Sequence, residues 1–159
     1  MRIVLQKVQQ ASVTVIDEQT GLVDTSFTPQ HIQQGYVLLV GVSDRDGTKE
    51  VEWVAKKIAH MRLFKDENHA MNISLDKVQG EILSISQFTL YANIRKGNRP
   101  SFIEAGKPEH AKLVWKQLNE ALASYGYPVK EGQFGAHMQV SLVNDGPVTI
   151  TINTEELLG

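Results

Sequence analysis

Two short segments hold most of the chemistry that the residue types of this 159-residue chain can support. Ser86-Gln87-Phe88-Thr89-Leu90 closes an apolar run and sets three side-chain hydrogen-bonding groups around an aromatic ring. In a regular strand Gln87 and Thr89 share a face with Leu83 and Ile85, while Ser86 and Phe88 point the other way. Polar groups at the end of an apolar strand need partners, which can be backbone, water or a ligand. Asn144-Asp145-Gly146-Pro147-Val148-Thr149 lies between two alternating runs and puts a flexible Gly beside a rigid Pro. Each segment alone also has a plain reading, as a strand leaving the core and as a hairpin connection. Among peptide bonds only X-Pro adopts cis readily, and a cis Gly146-Pro147 bond makes a rigid wall lined by carbonyls. Together the segments point to a pocket that selects by shape.

Several other chemistries are disfavoured. Without cysteine there is no disulfide, thiolate metal site or thiol nucleophile. The five histidines, His31, His60, His69, His110 and His137, show no His-x-x-x-His spacing with a nearby Glu, so no metal site is expected. There is no Gly-x-Ser-x-Gly elbow, phosphate-binding Gly-rich loop or dinucleotide fingerprint, and no cofactor is expected. A net charge of −2 does not by itself point to nucleic acid, which would have to be held by local clusters such as Arg95-Lys96-Gly97-Asn98-Arg99. No stretch approaches the roughly 20 apolar residues needed to span a bilayer, and the first residues read directly into a strand, so a cytoplasmic protein without membrane insertion is expected.

The elements that must position these residues follow from hydrophobic period. A chain of this length supports one domain. Ile3 to Ile16 is rich in β-branched residues and reads as a strand or bent pair before the turn residues Asp17-Glu18-Gln19-Thr20-Gly21. Tyr36 to Val42 is apolar without alternation, as expected of a central strand covered on both faces. Thr48 to about Met61 repeats Val51, Val54, Ala55, Ile58 and Met61 at helical spacing. A second helix begins near Pro108 and carries Ala111, Val114, Trp115, Leu118, Leu122 and Tyr125 on one stripe before Gly126. Glu81 to Leu90 is a strand candidate. Met138, Val140 and Leu142, then Val148, Ile150 and Ile152, read as two strands of a hairpin around Asn144 to Pro147. The order predicts a mixed α/β fold with two main helices.

Four ordered motifs resemble the D-aminoacyl-tRNA deacylases: Ser86 to Leu90, Arg95-Lys96-Gly97-Asn98-Arg99-Pro100-Ser101-Phe102, Gly132-Gln133-Phe134-Gly135-Ala136-His137-Met138, and Asn144 to Thr149. Met71-Asn72-Ile73-Ser74 and the segment from Lys57 to Phe64 extend the similarity nearly end to end. The resemblance implies a layered α/β/β domain and an enzyme that hydrolyses the ester joining a D-amino acid, or glycine, to the terminal adenosine of tRNA. It also implies a homodimer in which a cis Gly146-Pro147 element of one subunit enters the other's pocket, and a water attack assisted by the 2′-hydroxyl of the substrate ribose. On this footing Ser86, Gln87, Phe88 and Thr89 are the catalytic candidates, with backbone N–H groups near Phe88 and Thr89 facing the developing oxyanion. Phe134 is a candidate platform for the terminal adenine. Met138 and Ala111 are candidate lining residues, and Lys96 and Arg99 are candidate contacts to tRNA phosphates.

Chiral selection of this kind has a simple physical basis. D- and L-aminoacyl esters carry identical groups, so discrimination requires anchoring the amino group and ester and obstructing one direction from Cα. Glycine has nothing to obstruct and passes with the D residues. A noncatalytic RNA-binding module of the same fold and an esterase with Thr89 as covalent nucleophile are the competing readings, and the second lacks a sequence-adjacent His or carboxylate to activate the hydroxyl. Residues 17 to 34 are longer than the family's short turn, and Asn68-His69-Ala70 replaces a turn that usually carries Gly.

Overall fold

A long run of β-branched and apolar residues makes one strand, β1 (Arg2–Val15), to which most of the sheet is attached in the computed structural model, which describes residues 1–159. One edge of β1 pairs first with β3 (Gly35–Gly41), with Ile3 opposite Val40 and Leu5 opposite Leu38, and then with the short β2 (Gln30–Ile32). Its other edge pairs along nearly its whole length with β8 (Met138–Asn153). β3 continues in parallel to β6 (Glu81–Ser86), and β6 to β7 (Val129–Glu131). β4 (Arg62–Lys65) and β5 (Met71–Ser74) form a separate antiparallel pair.

Both faces of β3 are covered, as its unbroken apolar run requires. Tyr36, Leu38 and Val40 face the core shared with α1 (Thr48–His60) and α2 (Pro108–Ala123), where Val54, Ile58, Trp115 and Leu118 are buried. Val37, with Leu83 and Ile85 of β6, faces a second core closed by Val8, Ala11, Val13 and the β8 residues Met138, Val140 and Leu142. The far halves of β1 and β8 therefore fold over the central strands, giving the expected α/β/β layering. Pro108 opens α2, where its missing N–H leaves nothing unpaired. Glu50 accepts from the Gly47 N–H at 2.9 Å to start α1. A short helix, α3 (Thr154–Leu158), is pinned to the chain start: the Asp46 carboxylate accepts from the Met1 amino group and from the Ser43 N–H, and Thr154 also accepts from the Met1 amino group.

Three readings need correction. Residues 138–153 are not a hairpin but one strand, because both halves pair with β1; its register jumps from Gln6 opposite Thr149 to Val8 opposite Asn144, and the residues between bulge out across from Lys7. The strand read from Glu81 to Leu90 stops at Ser86, after which Phe88–Tyr91 form a single 3-10 turn. Tyr125 does not continue the α2 stripe, since the helix ends at Ala123 and Tyr125 is exposed.

On the helix side of β6 the Trp115 indole N–H donates to Ser84 Oγ at 2.9 Å with both side chains buried. Ser84→Ala leaves that donor without a partner and is expected to cost about 1–3 kcal/mol in urea unfolding.

Candidate functional site

The carboxyl ends of the parallel strands β3 and β6 open onto a cleft of about 540 Å³, the position where open α/β sheets commonly hold ligands. Val40 and Val42 form one side with Ile85 and Ser86, and Gln87 and Phe88 turn over its mouth. Ala111 and Trp115 on the first turns of α2 form its floor, while Phe134, Met138 and Val140 close the far side. Ser86, Gln87 and Phe88 of one motif, Phe134 and Met138 of another, and Ala111 of the α2 stripe thus come together around one space.

Local bonding explains the shape. The Gln87 N–H donates to the Val40 carbonyl at 2.7 Å, the last rung of the β3–β6 ladder, and the Leu90 N–H donates back to the Gln87 carbonyl at 3.2 Å. This bends the chain away from the sheet. Phe88 and Thr89 are the first residues of the resulting turn, so their N–H groups have no acceptor within it. The turn is tied down from below: Arg2 donates to the Leu90 carbonyl at 3.1 Å and lies 4.4 Å over the Tyr91 ring. Burial, reinforced by the Asp46 carboxylate, pushes the Tyr91 phenol up to about 12 and keeps it neutral.

Aromatic rings line both sides of the cleft. Phe88 meets Phe102 edge-on at 5.1 Å, and Phe134 is tilted against Trp115 at 5.9 Å. Phe134 stands on a loop anchored by the Gly132 N–H, which donates to the Ser84 carbonyl at 3.0 Å. A Cβ on Gly132 would come within 2.6 Å of Met138 Sδ, so only glycine there lets Met138 settle against the cleft. None of the seventeen lining residues is ionisable.

The other candidates lie elsewhere. Thr89 is exposed and outside the cleft lining; its hydroxyl accepts from the Gln87 amide, with no His or carboxylate bonded to it. Lys96 and Arg99 sit on an exposed loop whose base is closed by paired bonds between Asn93 and Ser101 at 2.8 and 3.0 Å, and neither enters an ion pair. That loop leads directly to Phe102 on the cleft wall.

Gly146 and Pro147 are exposed at the tip of the β8 bulge, and the peptide bond between them is cis. Asn144 shapes the bulge by accepting from the Val148 N–H at 3.1 Å and donating to Thr149 Oγ1 at 3.0 Å. Val148 is buried, which plants the base in the core and turns residues 145–147 outward. The bulge lies across from Lys7, which pairs with Tyr36 at the start of β3, whereas the cleft opens at Val40 and beyond. Four residues of strand are about 13 Å. The projection does not line the cleft of its own chain.

Trp115, Phe102, Val40 and Val42 were not foreseen as lining residues. Phe102 ended a quoted motif, and that was its signal; the other three belong to stripes that core packing explains equally well. No helix is long and apolar enough to cross a membrane.

Residues 4–153 match the family model described as D-Tyr-tRNA(Tyr) deacylase. Proteins named D-aminoacyl-tRNA deacylase from Bifidobacterium adolescentis and Bifidobacterium animalis subsp. lactis are 64% and 66% identical over 157 residues, covering 99% of both chains in each case. A solved structure titled c-Myc DNA Unwinding Element Binding Protein is 39% identical with a TM-score of 0.82, over 96% of this chain and 98% of that one. Another, of a probable eukaryotic D-amino acid tRNA deacylase, is 16% identical with a TM-score of 0.75 over 95% and 97%, a likeness of fold.

Proposed function

The chain belongs to the D-Tyr-tRNA(Tyr) deacylase family and is a D-aminoacyl-tRNA deacylase, an ester hydrolase; from that premise we propose how its cleft selects and cleaves the substrate. The aminoacylated 3′ end of tRNA enters the cleft with its terminal adenine against Phe134 and its ester carbonyl at the turn formed by Ser86, Gln87 and Phe88. The N–H groups of Phe88 and Thr89 face the oxygen on which charge develops when water attacks. Ala111 and Met138 bound the space, and Lys96 and Arg99 meet phosphates beside the mouth.

The observation that carries this reading is a cleft built for position and exclusion with no ionisable side chain on its walls. An activated ester needs an oriented water and oxyanion donors more than it needs a protein base. The 2′-hydroxyl of the substrate ribose assists the water, so the proton traffic belongs to the substrate. The exposed Gly146-Pro147 projection supplies the remaining wall in a homodimer, each copy's bulge entering the other copy's cleft and leaving no room for the side chain of an L residue. D-aminoacyl and glycyl esters pass. A substrate of this kind places the reaction in the cytoplasm.

The experiment is a comparison of D-Tyr-tRNA and L-Tyr-tRNA as substrates of the purified protein. Release from the D ester alone supports the reading; binding without release points to a noncatalytic module, and equal cleavage of both contradicts steric exclusion. Two further results separate substrate assistance from a Thr nucleophile. Thr89→Ala should retain single-turnover deacylation within about tenfold, where loss of a covalent nucleophile removes several orders of magnitude. The pH profile of kcat should show no protein inflection between about pH 5 and 8, because no lining group titrates there.

A further inference from the structure

The outer end of α1 carries a groove that the reaction at the cleft does not use. It has a volume of about 460 Å³ and is lined by Trp53, Lys56, Lys57, His60 and Met61. Trp53, Lys56, Lys57 and His60 stand at i, i+3, i+4 and i+7, so they share one helix face, away from the buried stripe of Val51, Val54, Ala55 and Ile58. Lys57 Nζ lies 5.3 Å from the centre of the Trp53 ring. The His60 ring is held edge-on to Tyr125 at 5.4 Å, and its Nδ1 donates to the Lys56 carbonyl at 2.8 Å.

The charge here is local and unspent. From residue 49 to 65 the chain has Lys49, Lys56, Lys57, Arg62 and Lys65 against Glu50 and Glu52, five positive charges to two negative in a protein of net −2. Glu50 is turned back to the start of α1 by its bond to Gly47. No ion pair of the protein includes Lys56 or Lys57. Two free ammonium groups beside a half-exposed indole match a nucleic-acid strand, with phosphates for the cations and a base or ribose for the ring.

Building on the deacylase reading, we propose that this groove is a second RNA contact that binds the phosphate backbone of the tRNA strand bearing the amino acid. α1 and α2 begin at the same end, joined where His110 Nε2 bonds the Asp46 carbonyl at 2.9 Å, and finish together at His60 and Tyr125. The cleft lies at the starts of the helices and the groove toward their ends. Nine residues of helix separate Thr48 from Lys57, about 14 Å. A strand leaving the cleft along the two helices passes the groove within a few nucleotides of its terminal adenosine.

The test uses the full-length protein, a Lys56→Gln/Lys57→Gln double variant, and two substrates: D-Tyr-tRNA and the short ester D-tyrosyl-adenosine, which cannot reach the groove. The double variant should lower kcat/KM on D-Tyr-tRNA about tenfold at 0.15 M salt and flatten its log–log salt dependence by about two. Cleavage of D-tyrosyl-adenosine should stay at the wild-type rate. Unchanged turnover of D-Tyr-tRNA, or equal loss on both substrates, overturns the groove as an RNA contact while leaving the deacylase reading standing. Failure of the wild-type protein to cleave either substrate overturns both.

Discussion

Ala111→Phe is expected to slow single-turnover deacylation of D-Tyr-tRNA by about a thousandfold, equivalent to about 4 kcal/mol of barrier. Ala111 lies on the floor of the cleft, 8% exposed and one helical turn before Trp115. On the proposed placement of the substrate, a phenyl ring there occupies space that the aminoacyl adenosine needs and pushes the ester away from the Phe88 turn. With no ionisable group on the walls, position is the main means of catalysis left to the protein, and a misplacement of about 1 Å already costs around a hundredfold. Ala111 also belongs to the helix-side core, so a urea melt of the variant accompanies the assay to show that it stays folded. Ala111→Gly separates the two effects: it keeps the space, costs about 1 kcal/mol in helix propensity, and should leave deacylation within about tenfold of wild type. Turnover by Ala111→Phe within tenfold of wild type would place the substrate somewhere other than this cleft.

The parts of the fold that could be read from the sequence are those whose pattern is local. Pro108 and the Ala111, Val114, Trp115, Leu118, Leu122 stripe define α2 without reference to the rest of the chain, and the unbroken run from Tyr36 is what a strand covered on both sides needs. The misreading of β8 has a different origin. Val140, Leu142, Val148, Ile150 and Ile152 alternate in the same phase on either side of Asn144 to Pro147, and those four residues have the composition of a hairpin turn. What makes them a bulge is that β1 has 14 residues and offers both halves the same edge, a fact held far away in the chain. Arg62–Lys65 and Met71–Ser74 are too short to display a period, and they pair only with each other. Phe88 and Leu90 prolong the apolar pattern past Ser86, yet the ladder ends when the Gln87 N–H takes the Val40 carbonyl.

The same distinction governs the cleft. Ser86, Gln87 and Phe134 stood out because they lie in unusual motifs. Trp115 and Val40 did not, because an apolar side chain facing a cavity has the same sequence pattern as one facing a core. The indole itself does both, donating to buried Ser84 while its ring borders the open space. The position of Gly146 and Pro147 relative to the cleft was invisible in the sequence alone, because it depends on the pairing of β8 with the distant β1.

Gly146→Ala should reduce deacylation of D-Tyr-tRNA by about a hundredfold or more, and mixing should restore part of it. Gly146 has φ +132°, a region that L residues rarely adopt, and a Cβ there would lie 2.7 Å from Val148 Cγ2 and 3.1 Å from Val148 N. Because Val148 is buried and held through Asn144, the strain moves the exposed tip rather than the strand, and the protein should stay folded. The tip does not line its own cleft, and on the proposed reading its loss is felt at the cleft of a second copy. A Gly146→Ala subunit keeps a sound cleft and an Ala111→Phe subunit keeps a sound tip. In a mixed dimer one of the two sites combines both sound parts. Random pairing of equal amounts makes half the dimers mixed, so about a quarter of wild-type activity should return from two inactive parents after subunit exchange. Recovery to that level, with L-Tyr-tRNA still spared, requires a tip acting across the interface. A mixture no more active than its parents would mean that tip and cleft do not work together in trans.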